Sequence, residues 1–266
     1  APFFERHGHA VLFNPIPPAV LYEQILKPVF SVSDEVEKSV EISRRILDIY
    51  AFFCKISKTD VLITPRELQM MALLTLSRSR QYPEQDIGVI AEHVTYQLSS
   101  HLVPQALKNN FDAQFKPKTS LVMPKTQDSN AFLVTESREA TLHQLNDVLS
   151  LREWRRGAAS TDMTDEQKYG GLGGILIEGA PGIGKSELVI ETLLSKGYQE
   201  EHDFEHKSTR ENPFYRMPVS LSYPEKEALL LKAFHEGAVV CIDEMNSSPM
   251  MERLLNDLFM GKTPDN

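Results

Sequence analysis

The chain has 266 residues, enough for one large domain or two modest ones, each with a buried core. It is 41% hydrophobic and 24% charged, the texture of an ordinary globular protein, and its formal net charge of −9 argues against a broad surface for phosphate backbones, leaving no strong nucleic-acid signal. Two cysteines, Cys54 and Cys241, exclude a disulfide framework, no apolar run reaches the ~20 residues of a membrane span, and "APFFERHGHAVLF" carries no secretory pattern, so the expected setting is intracellular, in the cytoplasm.

From Pro17 to about Phe115 the periodicity is helical. "PPAVLYEQILKPVF" opens on prolines suited to a first turn and is expected to stop around Pro28. In "SDEVEKSVEISRRILDIYAFFCK" Asp34 is the expected N-cap, and Val36, Val40, Leu47 and Tyr50 recur near a 3.6 period. "TPRELQMMALLTLSR" gives the clearest helix start, with Thr64 as cap, Pro65 at the first position and Glu67 completing a capping box. "QDIGVIAEHVTYQL" repeats the pattern through Ile87, Ile90, Ala91, Val94 and Leu98. Residues 1–115 therefore read as a mainly helical region.

The polar stretch 116–131, with two prolines and no sustained periodicity, reads as a linker. Beyond it, 132–266 alternates helix and strand. A helix ending near Trp154 and a strand "ILIEG" come first, then a helix from Gly184 to about Ser195 and a polar segment. "FYRMPVSL", the helix "PEKEALLLKAFHEG" and the strand "AVVCID" follow. That order predicts a parallel sheet with helices on both faces.

"GAPGIGKS", Gly179 to Ser186, fits the phosphate-loop pattern G-x-x-x-x-G-K-[ST] in full. Its glycines let successive backbone N–H groups turn toward phosphate oxygens, and the following helix adds the positive end of its dipole. The expected nucleotide contacts are Gly179, Ala180, Pro181, Gly182, Ile183, Gly184, Lys185, Ser186 and Glu187. Lys185 would face the β- and γ-phosphates and the Ser186 hydroxyl would hold Mg²⁺. "AVVCIDE" delivers Asp243 to a strand end, where its carboxylate can join the Mg²⁺ shell, and puts Glu244 beside it to polarise a water. "HDFEH" spaces His202 and His206 by four, but Asp203 stands where the zincin pattern has Glu, and no zinc site is expected.

The phosphate loop, the Asp-Glu strand and the following "MNSSPMMERLLNDL" together resemble the AAA+ ATPases, within them the class of MoxR, midasin and dynein, with Met245 and Asn246 at the hydrophobic and Asn positions after Asp-Glu. The resemblance implies an α/β P-loop NTPase core with a parallel sheet, its first three strands within roughly 175–243, preceded by a helical lid-like bundle. It makes Lys185 and Glu244 the catalytic pair and ATP with Mg²⁺ the cofactors. It implies neighbouring AAA+ modules in a ring as partners, with ATP turnover coupled to remodelling of a macromolecular partner that the sequence does not name. The alternative is a nucleotide-binding scaffold or switch without steady turnover. "PFFERHGHAVLF" resembles the stretch bearing an arginine finger, which points to Arg6, and "LITPRELQMMALL" resembles the lid helix bearing the sensor-2 arginine, which points to Arg66. A cation in a first helical turn opposes the dipole, so a phosphate partner accounts for Arg66; for both arginines the competing reading is a solvated surface position or an ion pair with Glu67 or another acid. Both would belong to a preceding module, Arg66 serving that module's own nucleotide and Arg6 facing a still earlier site. On that reading the chain is a slice of a tandem array whose phosphate loop binds nucleotide weakly, if at all, and hydrolyses it negligibly in isolation.

Overall fold

The structure is a computed structural model and describes residues 15–30, 36–56, 63–121, 135–158 and 174–243, with 251, 253–255 and 258. The chain is mostly helical, with one small parallel sheet. It divides into two compact units, Ala1–Met123 and Pro124–Asn266.

The first unit is all helix among its described residues. Pro17 and Pro18 start α1 (Pro18–Leu21), which continues through a π-helical turn (Tyr22–Leu26) into α2 (Lys27–Phe30). The helix therefore does not stop at Pro28. The backbone N–H of Lys27 reaches the carbonyl of Tyr22, five residues back, so the turn is already widened where the proline ring and its missing N–H would disrupt a regular α-turn. The long helix α3 (Val36–Ile56) turns Ile42, Ile46, Ile49, Tyr50 and Phe53 inward. Val40 is exposed, so the buried stripe runs a few tens of degrees around the helix from the one that Val36, Val40 and Leu47 define.

Thr64 and Glu67 close a reciprocal capping box at the head of α4 (Pro65–Gln81), Glu67 accepting from the Thr64 backbone N–H at 2.6 Å. Asp86 caps α5 (Ile87–Ser99) by accepting from Gly88 and Val89 N–H at 2.8 and 3.2 Å. Ile87, Ile90, Ala91 and Val94 are buried as their spacing predicts, while Leu98 is only half-buried and Thr95 and Ser99 take the interior. Both hydroxyls are satisfied by the carbonyl four residues back, which lets them enter an apolar core. Two 3₁₀ turns (Ser100–Leu102 and Gln105–Leu107) lead to α6 (Lys108–Phe115), whose Phe111 and Phe115 meet Phe52 of α3 at ring centroids 5.2 and 5.8 Å apart. Arg45 binds the bundle together. Its Nη2 donates to the Phe115 carbonyl at the open end of α6 (2.6 Å) and its Nε to Thr95 on α5 (2.9 Å), two bonds that offset the burial of its charge.

The second unit is layered. Its elements are α7 (Glu136–Ala158), α8 (Lys185–Ser195), β1 (Gln199–Glu200), β2 (Pro213–Met217), α9 (Tyr223–Glu236) and β3 (Val239–Ile242). Helix α7 runs beyond Trp154. The strands pair in parallel in the order β1-β2-β3, Phe214 opposite Val239 and Met217 opposite Ile242. Alternation along β2 divides the core in two. Phe214 packs with Leu145 and Leu149 of α7 and with Ile190 and Leu193 of α8 on one face. Tyr215 and Met217 pack with Leu229, Leu230 and Ala233 of α9 and with Leu254, Leu255 and Leu258 on the other. A parallel strand needs this cover on both faces.

The expected strand Ile175–Gly179 does not form. Residues 174–180 carry no strand pairing, and Leu176 is 66% exposed. Strand preference alone does not order a segment without a ladder partner, and among the described residues β3 pairs with β2 only. Residues 174–179 and β3 instead line a groove of about 810 Å³ whose other walls come from α7, α8 and α9.

Candidate functional site

The site begins with a change of direction in the backbone. Residues 174–180 lead into a turn, and Gly182 and Gly184 adopt left-handed conformations, with φ of 77° and 80°. Side chains other than glycine rarely adopt these angles, and alternating handedness is what turns successive N–H groups to one side. Gly179 meets a different requirement, because a Cβ there would stand 2.7 Å from Ile183 Cδ1. Gly184 is the N-cap of α8, so the loop ends on the positive end of an 11-residue helix.

Lys185 opens α8 and folds back over the loop, its Nζ donating to the carbonyls of Gly179 (2.8 Å) and Ala180 (2.9 Å). These two bonds hold the ammonium at the loop's mouth. Ser186, one residue on, donates its hydroxyl to Asp243 Oδ1 at 2.8 Å, a contact between residues 57 apart in sequence. Asp243 directly follows β3, so the sheet carries its carboxylate to the first turn of α8. Cys241, two residues earlier, is half-buried, and burial followed by the Asp243 charge pushes its thiol up to about 11, which leaves it un-ionised at neutral pH.

The residues present fit a magnesium–nucleotide pair. A hydroxyl and a carboxylate within hydrogen-bond distance are hard oxygen donors of the kind Mg²⁺ takes from protein, the remaining positions going to water and phosphate. The two left-handed glycines hold backbone conformations that larger residues rarely adopt, as a backbone phosphate cradle demands. Among the described residues no group of three or more His, Cys, Asp or Glu is placed to hold a metal ion. His202 and His206 are exposed, and His206 Nδ1 pairs with Asp203 at 3.0 Å.

The structure thus brings together the loop Gly179–Glu187, including Ala180, Pro181 and Ile183, with Asp243. Glu244 and Arg6 lie outside the described residues. Arg66 is half-buried at the second position of α4 in the first unit. One neighbour of the loop was not picked out by motif. Arg138 of α7 donates from Nη2 to the Ile183 carbonyl at 2.7 Å. The signal that could have found it is the one that singled out Arg66, a cation in the first turn of a helix, where it opposes the dipole. Comparison with family models, with curated proteins and with solved structures yields no match. Among the described residues no helix is long and apolar enough to cross a membrane.

Proposed function

We propose that the second unit binds ATP with Mg²⁺ and hydrolyses it, as an AAA+ module that works with neighbouring modules to remodel a macromolecular partner. One observation carries the nucleotide part. Ser186 and Asp243, 57 residues apart in sequence, meet at 2.8 Å beside a glycine loop on a helix N-terminus, a pairing that supports a phosphate-and-metal site. The alternation of α8, β2, α9 and β3 in a parallel sheet supports the AAA+ reading, as does the Asp-Glu pair after β3.

In this reading, bound Mg·ATP supplies the phosphoryl group and the metal charge that polarises it. The chain's own residues do the rest. Backbone N–H groups of the loop orient the phosphate oxygens, and Lys185 exchanges its two carbonyl partners for phosphate charge. Ser186 and Asp243 would hold the metal through their hydroxyl and carboxylate oxygens, and Glu244, assigned from its place after Asp243, would take the proton of the attacking water. Arg6 and Arg66 keep the finger and sensor-2 roles of an adjoining module.

Isothermal titration with Mg·ATP tests the binding. The protein should bind, Lys185→Ala should lose roughly 10-fold or more in affinity, and Asp243→Ala should lose the Mg²⁺ dependence. Equal binding by the parent and Lys185→Ala would remove the assignment. Phosphate release, assayed on the full-length protein and on its Glu244→Gln variant, separates turnover from a nucleotide-bound switch. Turnover lost in the variant with binding kept marks an ATPase.

A further inference from the structure

Arg138 stands where a helix disfavours it. The N–H groups of Arg138 and Glu139 both reach the Thr135 carbonyl (2.9 and 3.1 Å), so the arginine lies in the first turn of α7, near the positive end of the dipole. Its side chain leaves that turn and crosses to a loop 45 residues away, where Nη2 donates to the Ile183 carbonyl at 2.7 Å. The same nitrogen lies 3.7 Å from the position a Cβ on Gly184 would occupy. Ile183 is the residue between the two left-handed glycines.

The carbonyl oxygen of Ile183 and the N–H of Gly184 belong to one peptide plane. No cis peptide bond occurs among the described residues, so the two point in opposite directions. A guanidinium that holds the oxygen on the outer side of the loop turns the Gly184 N–H to the other. From the mouth, Lys185 holds the carbonyls of Gly179 and Ala180. The loop is therefore gripped at both ends by cations acting on its carbonyls, and the peptide Arg138 holds is the one that joins Ile183 to the left-handed Gly184.

We infer that Arg138 is a positioning residue of the phosphate loop, which fixes the Ile183–Gly184 peptide so that the Gly184 N–H is already turned toward an incoming phosphate. This rests on the phosphate-site reading of the loop. The role is preorganisation. The cost of ordering the Ile183–Gly184 peptide is met within the folded protein and not charged against the ligand.

Two measurements test it. The first needs no ligand. Hydrogen exchange of the backbone over 182–185 should be faster in R138A than in the parent, with the rest of α8 unchanged. The second is titration with Mg·ATP and with pyrophosphate. R138A should bind both about tenfold more weakly, the loss of a charge-assisted hydrogen bond, and R138K, which keeps one donor on a long stem, should recover most of that loss. A purely structural arginine would lower the melting temperature in R138A while leaving loop exchange and affinity as in the parent, and that result overturns the inference. If the parent binds neither pyrophosphate nor Mg·ATP, the phosphate-site reading fails and this role goes with it. If R138A binds like the parent while Lys185→Ala does not, only the role of Arg138 is lost.

Discussion

Among the described residues Tyr215 is the largest wholly enclosed side chain, and its hydroxyl sits within a small polar network. It donates to Glu236 Oε2 at 2.5 Å, and the other oxygen of Glu236 accepts from the Ser208 backbone N–H at 3.0 Å. Lys232 lies 4.7 Å from the Tyr215 ring centroid and donates to the Asp203 carbonyl at 2.6 Å. The polar segment after β1 is thereby tied to α9 through its backbone. Burial first, and the bond to Glu236 second, hold the phenol's pKa above its ordinary 10.0. The sign follows. Below pH 10 the folded and unfolded chains both keep the proton. Above it the unfolded chain ionises while the folded one does not, so stability is full below 10 and falls as pH rises beyond it. The single tryptophan, Trp154, lies in the same unit and reports its unfolding. Urea midpoints read by its fluorescence should hold from pH 7 to about 9.5 and then decline. Tyr215→Phe should cost about 1–2 kcal/mol at pH 8, because Glu236 loses a donor, and should shallow the alkaline decline.

At the scale of single elements, what is local in sequence was legible and what depends on a distant partner was not. Thr64, Pro65 and Glu67 define a helix start without outside help, and α4 begins there with both halves of its capping box closed. Thr64→Ala should cost about 1 kcal/mol, seen as a drop of roughly 4–8 °C in the melting of the first unit followed by far-UV circular dichroism. An unchanged midpoint would show the cap to be redundant. Asp86 makes the same kind of cap three residues after Pro83, yet its role is clear only from the N–H groups it accepts. On α3 the apolar residues offer two overlapping stripes, and packing against the other helices selects Ile42, Ile46 and Ile49 over Val40. At Pro28 the rule that proline ends a helix gave way to a π-helical turn. The segment 174–180 has strand composition and no strand partner. At the site, the motif from Gly179 to Ser186 and the strand end at Asp243 are contiguous patterns and could be read directly. Arg138 is marked in the sequence only as a cation in a first helical turn, and its partner Ile183, 45 residues away, is disclosed by the fold.

Over the whole molecule, the two units solve the same problem differently. The first closes its core with aromatic contacts among Phe52, Phe111 and Phe115 and with the Arg45 guanidinium on the end of α6. The second closes its core around a sheet with helices on both faces, and its sequence texture shifts from helical to alternating accordingly. The closure of the sheet is incomplete along β3, where the groove of about 810 Å³ sits between Leu145, Leu149 and Ile190 on one side and Leu230, Phe234 and Leu255 on the other. An apolar slot of that size accommodates a molecule as large as a naphthalene dye. The consequence is optical. Anilinonaphthalene sulfonate, whose brightening is ordinarily taken to mark partly unfolded protein, should brighten saturably on the fully folded chain at 25 °C, with near-UV dichroism intact. Thermal scans that rely on such dyes should then start from a raised baseline and dip before they climb, so that a falling signal reports the slot emptying and not the protein gaining order. A flat dye titration at 25 °C would show that the slot is shut in solution.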